Sequence, residues 1–372
     1  MKYYLKAYKI TLQTEGPVFV GSGKELSKKE YMFMPGHKIG VIDIAQLYQV
    51  VKKHRLQSKF EEYMVMDSRT DLGQWLKQNK IEMKEITPCM RYVLDNGDTV
   101  LQKGNRTQIM ECIKDAYGLP YIPGSSIKGM LRTILLANEL MEKPEYFREE
   151  IGMLKDNYPL AERNRNTYLQ RNIKQIEARA FCTLNRKDTK PIDAVNDILS
   201  GFIVGDSDVL SMEDIVLCQK VERHVDGTEK TLNLLRECIK PEREITFQIS
   251  IDESVCGITI EQVLDAISGF NDCYYACFLS SFKKIEGIQD NNVYLGGGCG
   301  FVSKTVGYPV FGKKEGITFA QKVFEQTRVP REHKHYKDRE LGVSPHILKC
   351  TEYNGRTLQM GLCKIKAIKA LS

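Results

Sequence analysis

Segments in which polar and apolar residues alternate recur along this chain, but helices do not separate them at the regular spacing of a doubly wound sheet. Residues 3–14 alternate in this way and end at Gly16-Pro17, whereas residues 260–284 form the longest apolar stretch with helical periodicity. Alternation with a period of two is typical of strands that bury one face. Because strands and helices follow one another irregularly, the sequence predicts an α+β fold with antiparallel sheets.

The predicted elements are spread over the whole chain. Strands are expected at residues 3–14, 31–33, 38–42, 202–204, 215–223, 244–251 and 358–368. Asp43 is expected to cap a helix whose apolar residues fall on one face, and further helices are expected at 127–141 and 260–284.

A chain of 372 residues is long for a single domain, since domains commonly contain about 100–200 residues. We predict two domains, residues 1–225 and 226–372, with a glycine-rich loop in the second. Residues 142–195 are charged and irregular, so they predict a partly helical insertion in the first domain.

Composition excludes several classes of protein. Hydrophobic residues make up 42% and charged residues 27%, so the chain can bury a core. The net charge of +6 permits a polyanionic partner without requiring one. The 11 cysteines are scattered and lack a Cys-x-x-Cys pair, which predicts reduced thiols and a cytoplasmic location. No signal peptide is recognisable, and no apolar run reaches the roughly 18–20 residues that cross a bilayer, so no membrane association is predicted.

The segment Pro123-Gly124-Ser125-Ser126-Ile127-Lys128-Gly129-Met130-Leu131-Arg132 predicts a turn followed by a helix. Lys128 lies in the first turn, where the helix dipole disfavours a cation, and Gly129 is a poor helix former. Lys128 and Arg132 share one helix face beside free backbone N–H groups, an arrangement that suits a phosphate. The alternative is a capped helix with two solvated basic residues. The candidate RNA contacts in this segment are Ser125, Ser126, Lys128 and Arg132.

Four glycines lie within the five positions 296–300, where the backbone can approach a ligand closely. A dinucleotide-binding loop should follow a strand, whereas a long helix is expected before this one. The phosphate loop of NTPases needs glycine at 303, where serine stands, and a following helix that Gly307 and Pro309 are expected to prevent. Both kinds of nucleotide site are therefore disfavoured.

The favoured interpretation of this loop is a clamp on an extended RNA backbone, with Phe301 available to stack on a base. The alternative is a flexible surface loop. The candidate contacts are Gly296, Gly297, Gly298, Gly300, Phe301, Lys304 and Thr305.

Two weaker features add candidates. Gly21-Ser22-Gly23 follows the first strand, and a tight turn is its default interpretation. Residues 160–190 hold eight Lys or Arg residues against three acidic ones, a net charge of +5. Charge runs are usually solvated, but this one gathers nearly all of the net charge and indicates a polyanion contact. Its candidate contacts are Arg163, Arg165, Arg171, Lys174 and Arg179.

Candidate catalytic and metal-binding residues are few. The six histidines show no spacing typical of a nucleophile, a metal site or a general base, although His333 and His335 lie in a basic run and are possible RNA contacts. Asp206 and Asp208 could hold a metal, but a turn before a strand explains them equally well. The sequence therefore predicts no catalytic residue, no metal and no cofactor.

Four of these segments resemble motifs of the RAMP superfamily in the same order, namely residues 20–23, 123–132, 205–208 and 295–305. Residues 345–349 and 355–368 resemble the ending of one family within it, the head subunits (fifth Csm proteins) of the Csm complexes of type III-A CRISPR systems. The resemblance implies two ferredoxin-like (RRM-like) domains. It also implies a non-catalytic subunit that caps the filament at the 3′ part of the crRNA and supports crRNA maturation.

The same resemblance implies the partners of this antiviral ribonucleoprotein. They are the single-stranded crRNA, the backbone and small subunits of the Csm complex, host trimming nucleases and, indirectly, the target RNA. Two alternatives stay open. A RAMP-family endoribonuclease that processes guide precursors would use a histidine or a small acid–base set near the glycine-rich loop, and no histidine lies within 296–305. A scaffold that binds only proteins would not retain short RNA.

Overall fold

The structure is a computed structural model and describes residues 5–66, 70–98, 100, 108–161, 164–283, 285, 288–327 and 329–371. Its strands are β1 (Leu5–Thr14), β2 (Gly21–Leu26), β3 (Tyr31–Met34), β4 (Lys38–Ile42), β5 (Met90–Asn96), β6 (Ile109–Cys112), β7 (Phe202–Val204), β8 (Ile215–His224), β9 (Glu229–Ile239), β10 (Glu244–Asp252), β11 (Asn292–Tyr294), β12 (Ile347–Tyr353), β13 (Arg356–Gln359) and β14 (Leu362–Leu371). Its α-helices are α1 (Ile44–Lys53), α2 (Gln57–Val65), α3 (Leu72–Gln78), α4 (Met83–Ile86), α5 (Gly124–Glu142), α6 (Arg148–Asn157), α7 (Gln170–Phe181), α8 (Glu253–Cys256), α9 (Ile260–Cys277), α10 (Gly307–Gln326) and α11 (Asp338–Leu341). Residues 3 and 4 of the predicted first strand and residue 284 of the predicted long helix lie outside the described residues.

Five strands form one sheet in the order β11-β14-β1-β10-β7, which we call sheet A. Every neighbouring pair is antiparallel, and Ile10 of β1 lies opposite Phe247 of β10 and Ile368 of β14. In β1 the alternating residues Ile10, Leu12 and Thr14 are buried, which is the pattern expected of a half-buried strand. Because β1 pairs with β14, sheet A brings the two ends of the chain together.

Helices α5 and α9 cover one face of sheet A. A small apolar cavity between these layers is lined by residues of both helices and of the sheet, among them Leu131, Val263 and Phe247. The chain passes in order through β1, α5, β7, β10, α9, β11 and β14. Helix α5 therefore connects β1 to the parallel strand β7, whereas α9 and the short β11 lie in the chain between the parallel strands β10 and β14. One antiparallel strand separates each of these parallel pairs in the sheet.

The remaining strands form sheet B, in the order β2-β6-β9-β8-β5-β4-β3, with β12 paired to β8 and to β13. This sheet is mixed, because β5 pairs in parallel with β8 and β6 pairs in parallel with β9. Helices α1 to α4 bury a separate apolar cluster next to β4, in which the rings of Phe60 and Trp75 lie 5.1 Å apart.

The predicted α+β class is confirmed, and antiparallel pairing dominates both sheets. Helices α6 and α7 lie within the predicted insertion at 142–195, and its residues Phe147, Leu154 and Ile176 are buried in the main core. The insertion is therefore packed on the rest of the chain. Among the described residues, no helix combines the length and apolarity that crossing a lipid bilayer requires.

Strands of both sheets come from both sides of the predicted boundary at residue 225. Sheet A takes β1 and β7 from residues 1–225 and takes β10, β11 and β14 from residues 226–372. Sheet B joins β8 to β9 and β12 across the same boundary. Neither part of the sequence contains all the strands of a sheet.

Candidate nucleic-acid interface

The glycine-rich loop at 296–300 packs on the segment that precedes β2. The backbone N–H of Gly297 donates to the Phe19 carbonyl at 2.5 Å. Gly296 has φ +84°, and a Cβ there would lie 2.2 Å from the same Phe19 oxygen. The loop therefore contacts the residue directly before the motif at 20–23, and at Gly296 the absence of a side chain serves a contact within the protein.

The sequence predicted a long helix directly before this loop and no helix after it, and both expectations were wrong. The short strand β11 ends at Tyr294, directly before the loop, and α10 begins at Gly307 with Pro309 in its first turn. Proline is tolerated there because the first N–H groups of a helix have no partner within the helix. Ser303 is nevertheless buried, and its hydroxyl bonds to the Cys299 carbonyl at 3.3 Å. The segment therefore lacks the open, glycine-lined turn that a phosphate loop requires.

Cations from sheet B lie against the loop, and no local pattern in the sequence indicated them. A Cβ on Gly298 would lie 3.1 Å from the Arg236 guanidinium on β9, and a Cβ on Gly300 would lie 3.6 Å from Lys349 on β12. The Arg236 Nε is buried and has no hydrogen-bond partner among the described residues. Lys304, just after the loop, is exposed. The loop thus lies within a positively charged rim.

The carboxylate of Glu222 partly neutralises the positive charge of this rim. Glu222 on β8 is buried and accepts from Lys349 at 2.7 Å and from Lys220 at 2.8 Å. Burial acts to raise the pKa of Glu222, but the two ammonium groups outweigh it and lower that pKa to about 2. Burial and the neighbouring Lys220 lower the pKa of Lys349. The cluster holds two cations for one anion.

Phe301 and Thr305 line an apolar groove between the loop and the insertion. The Phe301 ring is half-buried and meets the Phe324 ring edge-on at 5.0 Å. Ile173 of α7 lines the same groove. The structure thus brings the loop beside the basic helix of the insertion and gives Phe301 a packing role.

The start of α5 is held by the segment 205–208. The Asp206 carboxylate accepts from the Gly124 N–H at 2.7 Å, and the Ser207 hydroxyl accepts from the Ile122 N–H at 2.8 Å. A carboxylate therefore already occupies part of the position at which the sequence predicted a phosphate. The segment is not a turn, because the N–H groups of Gly205 and Asp208 donate to carbonyls of β10, and Asp206 acts as a helix cap.

The two predicted cations of α5 are bound within the chain. Lys128 donates to the Leu199 carbonyl at 2.7 Å, and burial lowers its pKa. Arg132 pairs with Asp197 at 2.6 Å and lies over the Phe181 ring at 4.5 Å. Lys128 thus ties α5 to the segment that follows the insertion, and Arg132 ties α5 to that segment and to α7. Ser125 and Gly129 are exposed, and Ser126 is half-buried.

The start of α5 and the glycine-rich loop lie at the same end of sheet A, where β1, β7 and β11 finish. These two elements flank opposite edges of the sheet, since the start of α5 lies beside β7 and the glycine-rich loop follows β11. Four strand spacings of roughly 4.8 Å separate these edges by about 19 Å. One extended strand of several nucleotides would be needed to contact both elements.

The basic residues of the insertion face solvent. Arg165, Arg171 and Lys174 are exposed, and Arg179 lies over the Tyr146 ring at 4.1 Å. Arg163 lies outside the described residues. Ile173, between Arg171 and Lys174, lines the groove next to Phe301, so α7 lies beside the glycine-rich loop.

Gly21, Ser22 and Gly23 belong to β2, at one end of sheet B. Ser22 lines a groove together with Lys24, Lys114 and the exposed Tyr117. Beneath it the buried Glu237 pairs with Lys114 at 2.5 Å. The predicted turn is a strand, and its groove is separate from the glycine-rich loop.

Four of the six histidines converge beside the rim, a cluster that no spacing in the sequence revealed. His335 stacks on Phe324 at 4.2 Å and on His333 at 5.9 Å, and His346 lies 5.5 Å from His335. His224 stacks on His346 at 5.7 Å. These residues come from three separate segments, so only the folded chain brings them together.

Comparison with known proteins gives relatives over most or all of the chain. The family model described as the RAMP superfamily matches residues 11–302. The chain is 29% identical to the CRISPR system Cms protein Csm5 of Mycobacterium tuberculosis, over 100% of both chains. It is 26% identical to the protein of the same name from Streptococcus thermophilus, over 85% of this chain and 84% of that one.

Two solved structures share the fold. A chain in the cryo-EM structure of a Csm-crRNA-target RNA ternary complex of a type III-A CRISPR-Cas system superposes with a TM-score of 0.64 and 16% identity, covering 96% of this chain and 100% of that chain. The crystal structure of T. onnurineus Csm5 gives a TM-score of 0.61 and 17% identity, covering 95% of this chain and 100% of that chain.

Proposed function

This chain belongs to the RAMP superfamily, and on that basis we propose that it is a non-catalytic guide-RNA-binding subunit of a type III-A CRISPR (Csm) effector complex. The observation that carries the proposal is the glycine-rich loop with Arg236, Lys304 and Lys349 around it. Cations beside a backbone that lacks side chains suit the sugar–phosphate chain of single-stranded RNA. The names of the relatives support the same assignment.

We further propose that sheet A, with α5 and α9, is a ferredoxin-like domain. Its support is the β-α-β-β-α-β order of β1, α5, β7, β10, α9 and β14. A second such domain would be built on sheet B. In this proposal the boundary between the domains runs between the two sheets, because strands from both parts of the sequence enter each of them.

The RNA path in this proposal follows the rim from the glycine-rich loop to α7. Lys304, Arg171 and Lys174 are exposed along it and are free to meet phosphates. Lys128 and Arg132 would reach RNA only by exchanging their contacts with Leu199 and Asp197. They are therefore weaker candidates than Lys304.

Salt dependence of RNA binding tests the path. Each phosphate contact to a single strand contributes a slope of about −0.7 in log K against log salt. Lys304→Ala should reduce the slope by about that amount, while Lys77→Ala, an exposed lysine in the α1–α4 cluster, should leave it unchanged. Equal slopes for the two variants would remove Lys304 from the interface. Phe301→Ala is a poorer probe because its ring also packs on Phe324.

The finer role, capping the filament at the 3′ part of the crRNA and supporting its maturation with host trimming nucleases, rests on the family resemblance. Purification of the complex from its native host should yield this chain with Csm subunits and a guide of discrete length. Complexes from cells that lack the chain should carry guides with longer 3′ ends. An unchanged length distribution would contradict a role in maturation.

A guide-processing endoribonuclease is the second candidate, and the histidine cluster is the observation that favours it. His333 is partly exposed and lies 4.0 Å from Glu222, beside Lys349. An imidazole next to an ammonium group is a plausible acid–base pair for RNA cleavage. Pure protein incubated with repeat RNA should bind without cleaving it. Cleavage that is lost in His333→Ala would favour the enzyme instead.

A further inference from the structure

The inner part of the histidine cluster has the composition of a metal site. One ring nitrogen of His335, one ring nitrogen of His346 and a carboxylate oxygen of Asp338 lie within 4.8 Å of one another. Asp338 is fully buried, and the side chains of His335 and His346 are 12% and 6% exposed. Two imidazole nitrogens and one carboxylate oxygen in a shielded position are ligands that Zn²⁺ prefers.

The distances between the three groups are close to those that a metal requires. Nδ1 of His346 lies 2.5 Å from one Asp338 oxygen, and Nδ1 of His335 lies 3.1 Å from the other. Ligands at about 2.0–2.1 Å from a tetrahedral Zn²⁺ are separated by roughly 3.3 Å. Side-chain adjustments on the order of 1 Å would therefore admit the ion.

A second layer of contacts orients these groups. The Ser344 hydroxyl donates to Asp338 at 2.5 Å, and the Tyr308 hydroxyl donates to the Ser344 carbonyl at 2.7 Å. Partners of this kind fix the direction of a ligand, and their loss commonly weakens metal binding about 10- to 100-fold. The His333 and His224 rings lie against the outer faces of His335 and His346.

The three candidate ligands lie where a metal ion would join two parts of the fold. His335 and Asp338 belong to the segment 331–341, which consists of short turns and the four-residue helix α11. His346 directly precedes β12. A metal would cross-link this segment to sheet B and, through Phe324, support the Phe301 side of the glycine-rich loop.

We propose that His335, Asp338 and His346 bind one Zn²⁺ ion, which fixes segment 331–341 beside the glycine-rich loop and leaves its fourth coordination position to a water molecule. The rival explanation is a hydrogen-bond network without an ion, in which Asp338 accepts from both imidazoles and from Ser344. The two explanations differ in zinc uptake, so binding of the metal alone distinguishes them. The site does not depend on RNA binding.

The test uses the full-length chain, stripped of metal with a chelator, dialysed and titrated with ZnCl₂. The wild-type chain should bind one equivalent that persists through gel filtration, and its melting temperature should rise with zinc and fall again with chelator. His335→Gln and His346→Gln should each bind zinc at least about tenfold more weakly. Failure of the wild-type chain to take up zinc overturns the proposal, whether or not the variants fold.

Two controls exclude other sources of uptake. His37→Asn alters an exposed histidine at φ +56°, a conformation that asparagine tolerates, and should bind like the wild type. The double variant Cys273→Ser/Cys277→Ser removes two half-buried thiols one helical turn apart. This variant should also bind one equivalent of zinc. Uptake that the cysteine variant abolishes and the histidine variants retain would assign the zinc to the thiols and overturn the proposal.

Discussion

Single side chains around the glycine-rich loop hold their charge because of particular neighbours. Glu222 remains ionised in a buried position because Lys220 and Lys349 both donate to it. Arg236 lies over the Phe19 ring at 5.4 Å, and its Nε is buried without a hydrogen-bond partner among the described residues. Arg236 and Lys349 are thus positioned by protein contacts, whereas Lys304 of the same rim is exposed.

Glu222→Gln should destabilise the fold at neutral pH by about 1.5–3 kcal/mol, since it removes charge-assisted hydrogen bonds. The pKa of Glu222 is lowered from 4.5 to about 2 in the fold. Its ionised form therefore stabilises the fold at pH values above about 4.5, and this contribution is lost as the pH falls toward 2.

Urea unfolding at pH 7, 5, 4 and 3 measures this effect. The difference in unfolding free energy between wild type and Glu222→Gln should shrink over the lower pH values. Glu62→Gln, at an exposed position on α2, should show little difference throughout. If the difference in unfolding free energy between wild type and Glu222→Gln stays constant down to pH 3, the two lysines do not stabilise the ionised carboxylate.

At the scale of elements, the glycines and aspartates of the predicted motifs have different roles at different positions. Gly296 is required where the loop meets Phe19, whereas a Cβ added to Gly129 on α5 would have no described atom within 4 Å beyond its own helix backbone and its chain neighbours. Asp206 caps α5, whereas Asp208 two residues later, which is exposed like Asp206, makes no side-chain hydrogen bond among the described residues. Each pair provides a matched comparison.

Gly296→Ala should destabilise the fold by about 2–4 kcal/mol, because a Cβ would meet the Phe19 carbonyl at 2.2 Å in a left-handed backbone conformation. Gly129→Ala should stabilise the fold by about 0.5–1 kcal/mol, since alanine favours the helix. Thermal and urea unfolding of both variants measures this. Reduced RNA affinity in the stabilised Gly129→Ala would show that RNA passes close to α5, and unchanged affinity would show that it does not.

Asp206→Ala should cost about 1 kcal/mol, since the Gly124 N–H loses its acceptor at the start of α5. Asp208→Ala, in the same four-residue motif, should be nearly neutral. Denaturant unfolding of the two variants compares them directly. Equal losses would indicate that the bond from Gly124 does not account for the effect of removing Asp206.

At the scale of the whole molecule, long-range pairing of the chain ends decides how the protein is divided. β1 and β14 are neighbours in sheet A, and β10 flanks β1 on the other side. Sheet A thus needs residues from both ends of the chain. The predicted domains 1–225 and 226–372 remain a prediction that fragments can test.

Fragments 1–225 and 226–372, expressed separately, should fail to unfold cooperatively, because each lacks strands that pair with its own. Co-expression should restore a complex with a cooperative transition. Circular dichroism during thermal unfolding measures both. A cooperative transition in either isolated fragment would show that the predicted boundary separates folding units.

Much of the local structure follows from the sequence alone. The alternation in β1 and the cap at Asp43 depend on neighbouring residues, so they were predicted with nearly the observed bounds. The apolar periodicity of α9 predicted its start at Ile260, but the helix ends at Cys277, before the predicted end. The short strand β11 and the start of α10 were missed, because three residues carry little periodic signal and a proline in a first turn is tolerated.

The sequence determined the class of fold, the motifs and the excess of positive charge, because these depend on local pattern and composition. Only the tertiary structure decided which cations surround the loop, that Lys128 and Arg132 are bound within the chain, and that four histidines meet. The physical reason is that pairing of β8, β9 and β12, and of β1 with β14, joins residues far apart in the chain. Contacts of that range leave no periodic trace in the sequence.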